Sequence, residues 1–167
     1  DVLTVSGATH QEIDMYEQRR EESDFDVEEL GVALVRLAGG ITFFIEEAWA
    51  IHLDGMEGSS IVGSKGGVRL DPFGFFQSVG HLDMDCTANL ERFMYRLHNV
   101  QGVGDEYETA QHHWVAALQG RVELMPTAEL ALKTMLISEG IYLAHSLGRE
   151  VSADEVREHS QSTAVQV

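Results

Sequence analysis

Two adjacent glycines, Gly39 and Gly40, separate two β-rich runs, Val27 to Ala38 and Ile41 to Ile51. Glycine reaches positive φ without steric cost, so a Gly-Gly link between strands reads as a primed hairpin turn, and the flanking strands must run antiparallel. Along the second run Ile41, Phe43, Ile45 and Trp49 fall on one side, and Thr42, Phe44, Glu46, Ala48 and Ala50 on the other. Both sides carry apolar residues. That pattern predicts a strand in the middle of a sheet, covered by helices on one face and by another subunit on the other.

The rest of the chain is organised around that hairpin. Val2 to Thr9 has β propensity. Glu57 to Val62 and Val68 to Leu70 flank Gly63-Ser64-Lys65-Gly66-Gly67, which reads as a second hairpin. The glycine cluster has neither the strand-then-helix context nor the spacing of a phosphate-binding loop. From His81 to His98 the alternation is strand-like, but the polar side changes near Glu91, which predicts a β-bulge or bend there. After Gly102 and Gly104 the period becomes helical. Tyr107, Ala110, Trp114, Ala117 and Leu118 share a face, with Asp105 and Glu108 as a capping pair and Gly120 as a stop. A longer helix follows from Ala128 to about Leu147, with Thr127 as N-cap and Gly148 as terminator. Ser152-Ala153-Asp154-Glu155 is a capping box for a last short helix, and the tail from Ser160 should fray. Strands followed by helices predict an α+β domain: one large, mostly antiparallel open sheet with helices on one face, over residues 1–167 as a single domain.

Charge narrows the function classes. The 28 Asp and Glu against 11 Lys and Arg give a formal net charge of −17, and Lys65 and Lys133 are the only lysines. Such a surface repels phosphate backbones and anionic lipid, which disfavours nucleic-acid and membrane-surface partners. Apolar runs such as Ile41 to Ile45 fall far short of the ~20 residues of a membrane-spanning helix. The lone Cys86 cannot form an intrachain disulfide or a multi-cysteine metal centre, and it agrees with an expected cytoplasmic location. Nine acidic residues between Glu12 and Glu29 predict a surface excursion, with an acidic docking loop as the functional alternative. The chain begins at Asp1, directly in a strand-like run and without Met or a signal pattern, which suggests a piece of something longer.

Candidate chemistry is sparse. His81, Asp83 and Asp85 alternate on one strand face as metal ligands can, but solvent exposure alone gives the same pattern. His112 and His113 are adjacent and point about 100° apart on a helix, so they cannot share one metal from one face. No metal site is assigned. Ser59, Ser60 and Cys86 lack a nucleophile signature, and no catalytic residue is assigned either. Trp49 to Met56 does mix aromatic, polar and flexible residues where a strand ends, as binding loops do. A wide hairpin connection without a ligand fits the same residues.

Three segments carry a resemblance. Ala33-Leu34-Val35-Arg36-Leu37-Ala38-Gly39-Gly40-Ile41-Thr42, running on to Glu47-Ala48-Trp49-Ala50, resembles the strand, Gly, strand, Trp hairpin of the C-terminal domain of Gfo/Idh/MocA oxidoreductases. Ile61 to Leu70 is similar to that family's glycine hairpin. Thr127 to Leu147 with Gly148-Arg149-Glu150-Val151 is similar to its closing helix and terminal segment. The resemblance spans roughly Val27 to Glu158. It implies the substrate-side and oligomerisation domain of an NAD(P)-dependent enzyme such as glucose–fructose oxidoreductase or inositol dehydrogenase. Hydride would pass between the nicotinamide and a carbinol carbon of a sugar, polyol or related hydroxyl compound. The family's glycine-rich nucleotide fingerprint and Glu-Lys-Pro lysine have no match here, so the resemblance implies a separate N-terminal Rossmann domain that binds NAD or NADP. This chain would then bind no cofactor and turn over nothing alone.

By position, the resemblance places His52 and Asp54 in the substrate pocket, together with Trp49 and, less centrally, Met56. It also implies a homo-oligomer through the open sheet face. A reading from another class is a stand-alone acidic module that dimerises through its sheet and catalyses nothing. A metal-dependent hydrolase would need bound metal.

Overall fold

Among the described residues eight strands form two four-stranded antiparallel sheets, and helices accompany each. The computed structural model describes residues 1–13, 18, 22, 26–101 and 104–161. It groups them into two units, Asp1–His52 with Pro126–Val167 and Leu53–Met125. The α+β class and the antiparallel pairing are those the sequence predicts. The strands divide between two sheets where the pattern reads as one, because among the described residues Ser60–Gly63 pairs with the following strand and not with the Ile41 strand.

In the first unit, β1 (Val2–His10), β2 (Leu30–Leu37), β3 (Ile41–Ala48) and the short β8 (Val151–Ser152) stand in the order β3-β2-β1-β8. Gly39 and Gly40 both have positive φ, 82° and 76°, as the turn requires. The register sets Val5 opposite Val35 and Val35 opposite Phe43, so Val5, Gly7, Ala33, Val35, Phe43 and Ile45 share one face. The long helix Thr127–Leu147 packs on that face over β1, and Val5, Val35, Leu136, Ala144, Val151 and Val156 form the core. Gly140 lets helix and strand approach closely: a Cβ there would sit 2.8 Å from Val5 Cγ2. The helix ends at Gly148 in the left-handed conformation, as expected. Its cap position is Pro126, without a side-chain cap bond, rather than Thr127, which is already helical.

One strand prediction is corrected. The Ile41 strand is an edge strand, because among the described residues β2 alone pairs with it, and Ile41, Phe43 and Phe44 are exposed, since the helix lies mainly over β1. The final helix Ala153–His159 has the predicted capping box, with Ser152 Oγ accepting from the Glu155 N–H and a Glu155 carboxylate oxygen accepting from the Ser152 N–H. The expectations for the acidic stretch fall mostly on residues 14–17, 19–21 and 23–25, and that for the fraying tail on residues 162–167, which lie outside the described residues.

In the second unit, β4 (Ser60–Gly63), β5 (Gly66–Arg69), β6 (Gly74–Val79) and β7 (Leu82–Thr87) form a meander. The predicted strand over His81–His98 is shorter: it stops at Thr87, and α-helix Leu90–Tyr95 follows, continued by a π-helical turn, Arg96–Val100. There is a change of element where a bulge was expected. Asn89 Oδ1 accepts the Arg92 N–H at 2.8 Å as an N-cap, and Leu90, Phe93, Met94 and Leu97 already follow the i, i+3, i+4, i+7 spacing. Helix Ala110–Leu118 is capped by Thr109, whose Oγ1 accepts from the His112 N–H, and Asp105–Tyr107 forms a separate 3₁₀ turn instead of the cap. Its buried residues are His113 and Ala116, whereas Trp114 and Leu118 are exposed.

Candidate functional site

Because the long helix covers β1 and leaves β3 bare, a cavity of about 690 Å³ opens between the helix and the ends of β2 and β3. Such a volume lies within the range of small-molecule sites. Its floor is Gly31, Phe43, Ile45 and Glu47. Ile137, Ile141 and Tyr142 come from the helix, and Glu28, Glu29 and Trp49 close the end.

Backbone pairing holds that end in place. The Glu29 N–H donates to the His10 carbonyl at 2.9 Å and the Trp49 N–H to the Glu29 carbonyl at 3.2 Å. The Trp49 indole N–H donates to the Glu28 carbonyl at 2.7 Å, which fixes the ring plane while one half of the side chain stays exposed. Glu29 is buried, 2% exposed. The Tyr142 hydroxyl donates to Glu28 Oε1 at 2.6 Å. That bond, together with partial burial, pushes the phenol up to about 12, because ionising it would set two anions against each other.

Trp49, His52, Asp54 and Met56 are the four residues that sequence reasoning assigned to a pocket. Trp49 lines the cavity. His52 is exposed on the connection after β3 and does not line it, while Asp54 and Met56 belong to the second unit. Sequence reasoning missed Glu28, Glu47 and Tyr142. The first lies in an acidic run that reads as surface, and Tyr142 looks like one more apolar position on a long helix.

Elsewhere, His113 is 3% exposed. Its Nε2 accepts the Met125 N–H at 3.0 Å, its ring stacks on Tyr107 at 4.9 Å, and its Nδ1 is buried without a hydrogen-bond partner among the described residues. Accepting at Nε2 places the proton of the neutral ring on Nδ1. Of the alternating trio, His81 lies in a turn and Asp83 accepts a 2.6 Å bond from the Ser78 hydroxyl. Among the described residues no group of three or more His, Cys, Asp or Glu is placed to hold a metal ion.

The fold has a solved counterpart. An oxidoreductase from Agrobacterium radiobacter, crystallised in complex with NAD+, L-tartaric acid and magnesium, is similar over 93% of this chain at TM-score 0.60 and 17% identity. A structure from Thermotoga maritima is similar at TM-score 0.48 and 12% identity, over 91% of this chain and 41% of its own. This chain spans 44% of the length of the Agrobacterium protein. At these identities the likeness concerns the fold. No family model matches the sequence, and no curated protein does. Among the described residues no helix is long and apolar enough to cross a membrane.

A dinucleotide does not fit the glycine-rich segments of this chain. Both lie between antiparallel strands, not between a strand and a helix whose N-terminus could face a pyrophosphate. A Cβ at Gly66 would sit 2.6 Å from the Phe76 carbonyl oxygen, so the space that this glycine leaves is filled by the neighbouring strand.

Proposed function

We propose that this chain is the substrate-side and oligomerisation domain of an NAD(P)-dependent oxidoreductase acting on a sugar, polyol or related hydroxyl compound. A separate Rossmann domain supplies the nucleotide site, and the chain alone is catalytically inactive. The supporting observation is the common fold: 93% of this chain aligns with 44% of an oxidoreductase that was solved with NAD+ and a hydroxy acid. The Gfo/Idh/MocA-like segments around Gly39-Gly40, Ile61–Leu70 and Thr127–Val151 agree with that reading. In it Trp49, His52, Asp54 and Met56 contribute to the substrate pocket. Trp49, anchored through its indole N–H, offers a flat apolar surface, and His52 and Asp54 on the connection beyond it supply groups that hydrogen-bond hydroxyls. A polar pocket group left unpaired discriminates strongly against a substrate lacking its hydroxyl.

The oligomerisation half draws on the sheet face opposite the helix. Leu34 pairs with Phe44 there, and the two are 39% and 66% exposed. Neighbouring apolar side chains on an open sheet face are what a contact surface would use.

The test compares the purified chain with the same chain joined to its nucleotide-binding lobe. The chain alone should neither bind a pyridine nucleotide tightly nor exchange hydride. The joined protein should oxidise a polyol, with His52→Ala and Asp54→Ala raising KM. Turnover or tight nucleotide uptake by the chain alone overturns the reading.

A further inference from the structure

We propose that the edge of β3 pairs with the β3 edge of a second copy of this chain, joining the first sheets of the two copies into one. Among the described residues β2 alone pairs with β3, which stands at the end of the order β3-β2-β1-β8. The ladder fixes which backbone groups remain. The Trp49 N–H donates to the Glu29 carbonyl, and hydrogen-bonded pairs recur at every second residue, so Glu47, Ile45, Phe43 and Ile41 turn their backbone groups to β2. Thr42, Phe44 and Glu46 turn theirs outward. Protected edges carry charges, a proline or a bulge. Ile41 to Ile45 holds no charge and no proline, its register with β2 is unbroken, and Ile41, Phe43 and Phe44 are 59%, 47% and 66% exposed.

The strand's own sequence argues for a second copy as the partner. Identical strands pair antiparallel about a two-fold axis. With that axis at Phe44, Phe44 meets the partner's Phe44, Thr42 meets the partner's Glu46, Phe43 meets the partner's Ile45 and Ile41 meets the partner's Glu47. Thr42, Phe44 and Glu46 then exchange both backbone bonds with the partner, and Phe43 and the partner's Ile45 form a closely spaced pair on the helix side of the sheet. Aromatic pairs and aromatic with β-branched pairs are favoured across strands, and each carboxylate here faces an uncharged residue. Shifting the axis to Ile45 sets Glu47 opposite the partner's Phe43 and brings the two Glu46 side chains diagonal to each other, like charge beside like charge. Shifting it to Phe43 sets Glu46 opposite the partner's turn and pairs fewer backbone groups. In a chain of net charge −17, copies repel least where the touching residues are neutral, as Ile41 to Ile45 are. The contact uses the strand edge and not the sheet face, and it does not depend on the oxidoreductase reading.

Amide hydrogen exchange, followed residue by residue in dilute and concentrated solutions of the intact chain, reads this backbone directly. The Thr42, Phe44 and Glu46 amides should exchange about tenfold or more slowly in the concentrated sample, in step with a dimer mass by light scattering. The Phe43 and Ile45 amides, bonded to β2 in either sample, should not change. Thr42→Pro removes an outward N–H and no bond to β2, so the circular dichroism should persist while the protection of Phe44 and Glu46 is lost. In a Cys86→Ser background the axis can be located covalently. Phe44→Cys should oxidise to a linked dimer, because the Cα atoms of a hydrogen-bonded pair stand about 5.5 Å apart, within disulfide reach. Thr42→Cys, with its two copies about 14 Å apart along the strand, should not. Exchange independent of concentration, a monomer at every concentration, or a crosslink through Thr42 and not Phe44 each overturns the proposal.

Discussion

The Tyr142 hydroxyl donates a 2.6 Å hydrogen bond to Glu28 Oε1 and so ties the long helix to the segment that enters β2. The folded phenol titrates at about 12, above the ordinary 10, so neutral Tyr142 is the form that folding favours. Its contribution is therefore complete below pH 10 and disappears as pH rises from there through about 12. Since Tyr142 is 46% exposed, solvent screening holds the bond's worth to about 1 kcal/mol. Tyr142→Phe should lower stability by that amount in urea unfolding at pH 7, and the difference from the parent should vanish at strongly alkaline pH. A constant difference across that range would show that the bond is not its source.

Gly140→Ala tests the closest helix–strand approach. On an exposed helix this change gains up to about 1 kcal/mol of helix propensity. Here the new methyl would meet Val5 Cγ2 at 2.8 Å and Val5 Cβ at 3.0 Å, and Val5 is fully buried and has no flexible end to move. Overpacking costs about 1–3 kcal/mol, so the variant should be destabilised on balance. A raised urea midpoint would mean that the helix can shift outward freely.

The parts of the fold written in local chemistry were legible. Gly39-Gly40, Gly148 and the Ser152–Glu155 box each act through bonds within a few residues of themselves, and each stands where the sequence puts it. Longer-range decisions were not. Whether the Ile41 strand is central or at an edge depends on whether another strand pairs with its second side, which period-2 alternation does not encode. At Leu90 two periods overlap over a few residues, and the Asn89 cap decides for helix. The cavity was legible only through Trp49, because Glu28 and Tyr142 meet across 114 positions of sequence. The buried His113 was hidden in the same way, since its partner, Met125, lies outside its helix.

The Ser152–Glu155 box predicts an acid-side transition. Glu155 is held down to about 2, first by the hydrogen bond from Arg149 and then by the Ser152 N–H and hydroxyl. A carboxyl depressed on folding stabilises above its ordinary value of 4.5, and that stabilisation is lost as pH falls from there through about 2. Glu155→Gln should lower the melting temperature at pH 7 and converge with the parent in strong acid. Ser152→Ala removes the N-cap acceptor and should cost about 1 kcal/mol. Parallel melting curves at every pH would exclude this origin.

Phe44 decides whether the open face of the first sheet is a contact surface. It is 66% exposed and lies beside Leu34, so placing a carboxylate there touches little inside the unit and should change unfolding stability by less than about 0.5 kcal/mol. In an assembly built on this face the same carboxylate would be desolvated against apolar side chains, and in a symmetric pair two copies would be brought close together. Phe44→Asp should therefore shift the mass measured by light scattering from oligomer to monomer at matched concentration, with the circular dichroism unchanged. Equal masses for parent and variant would remove this face from the assembly.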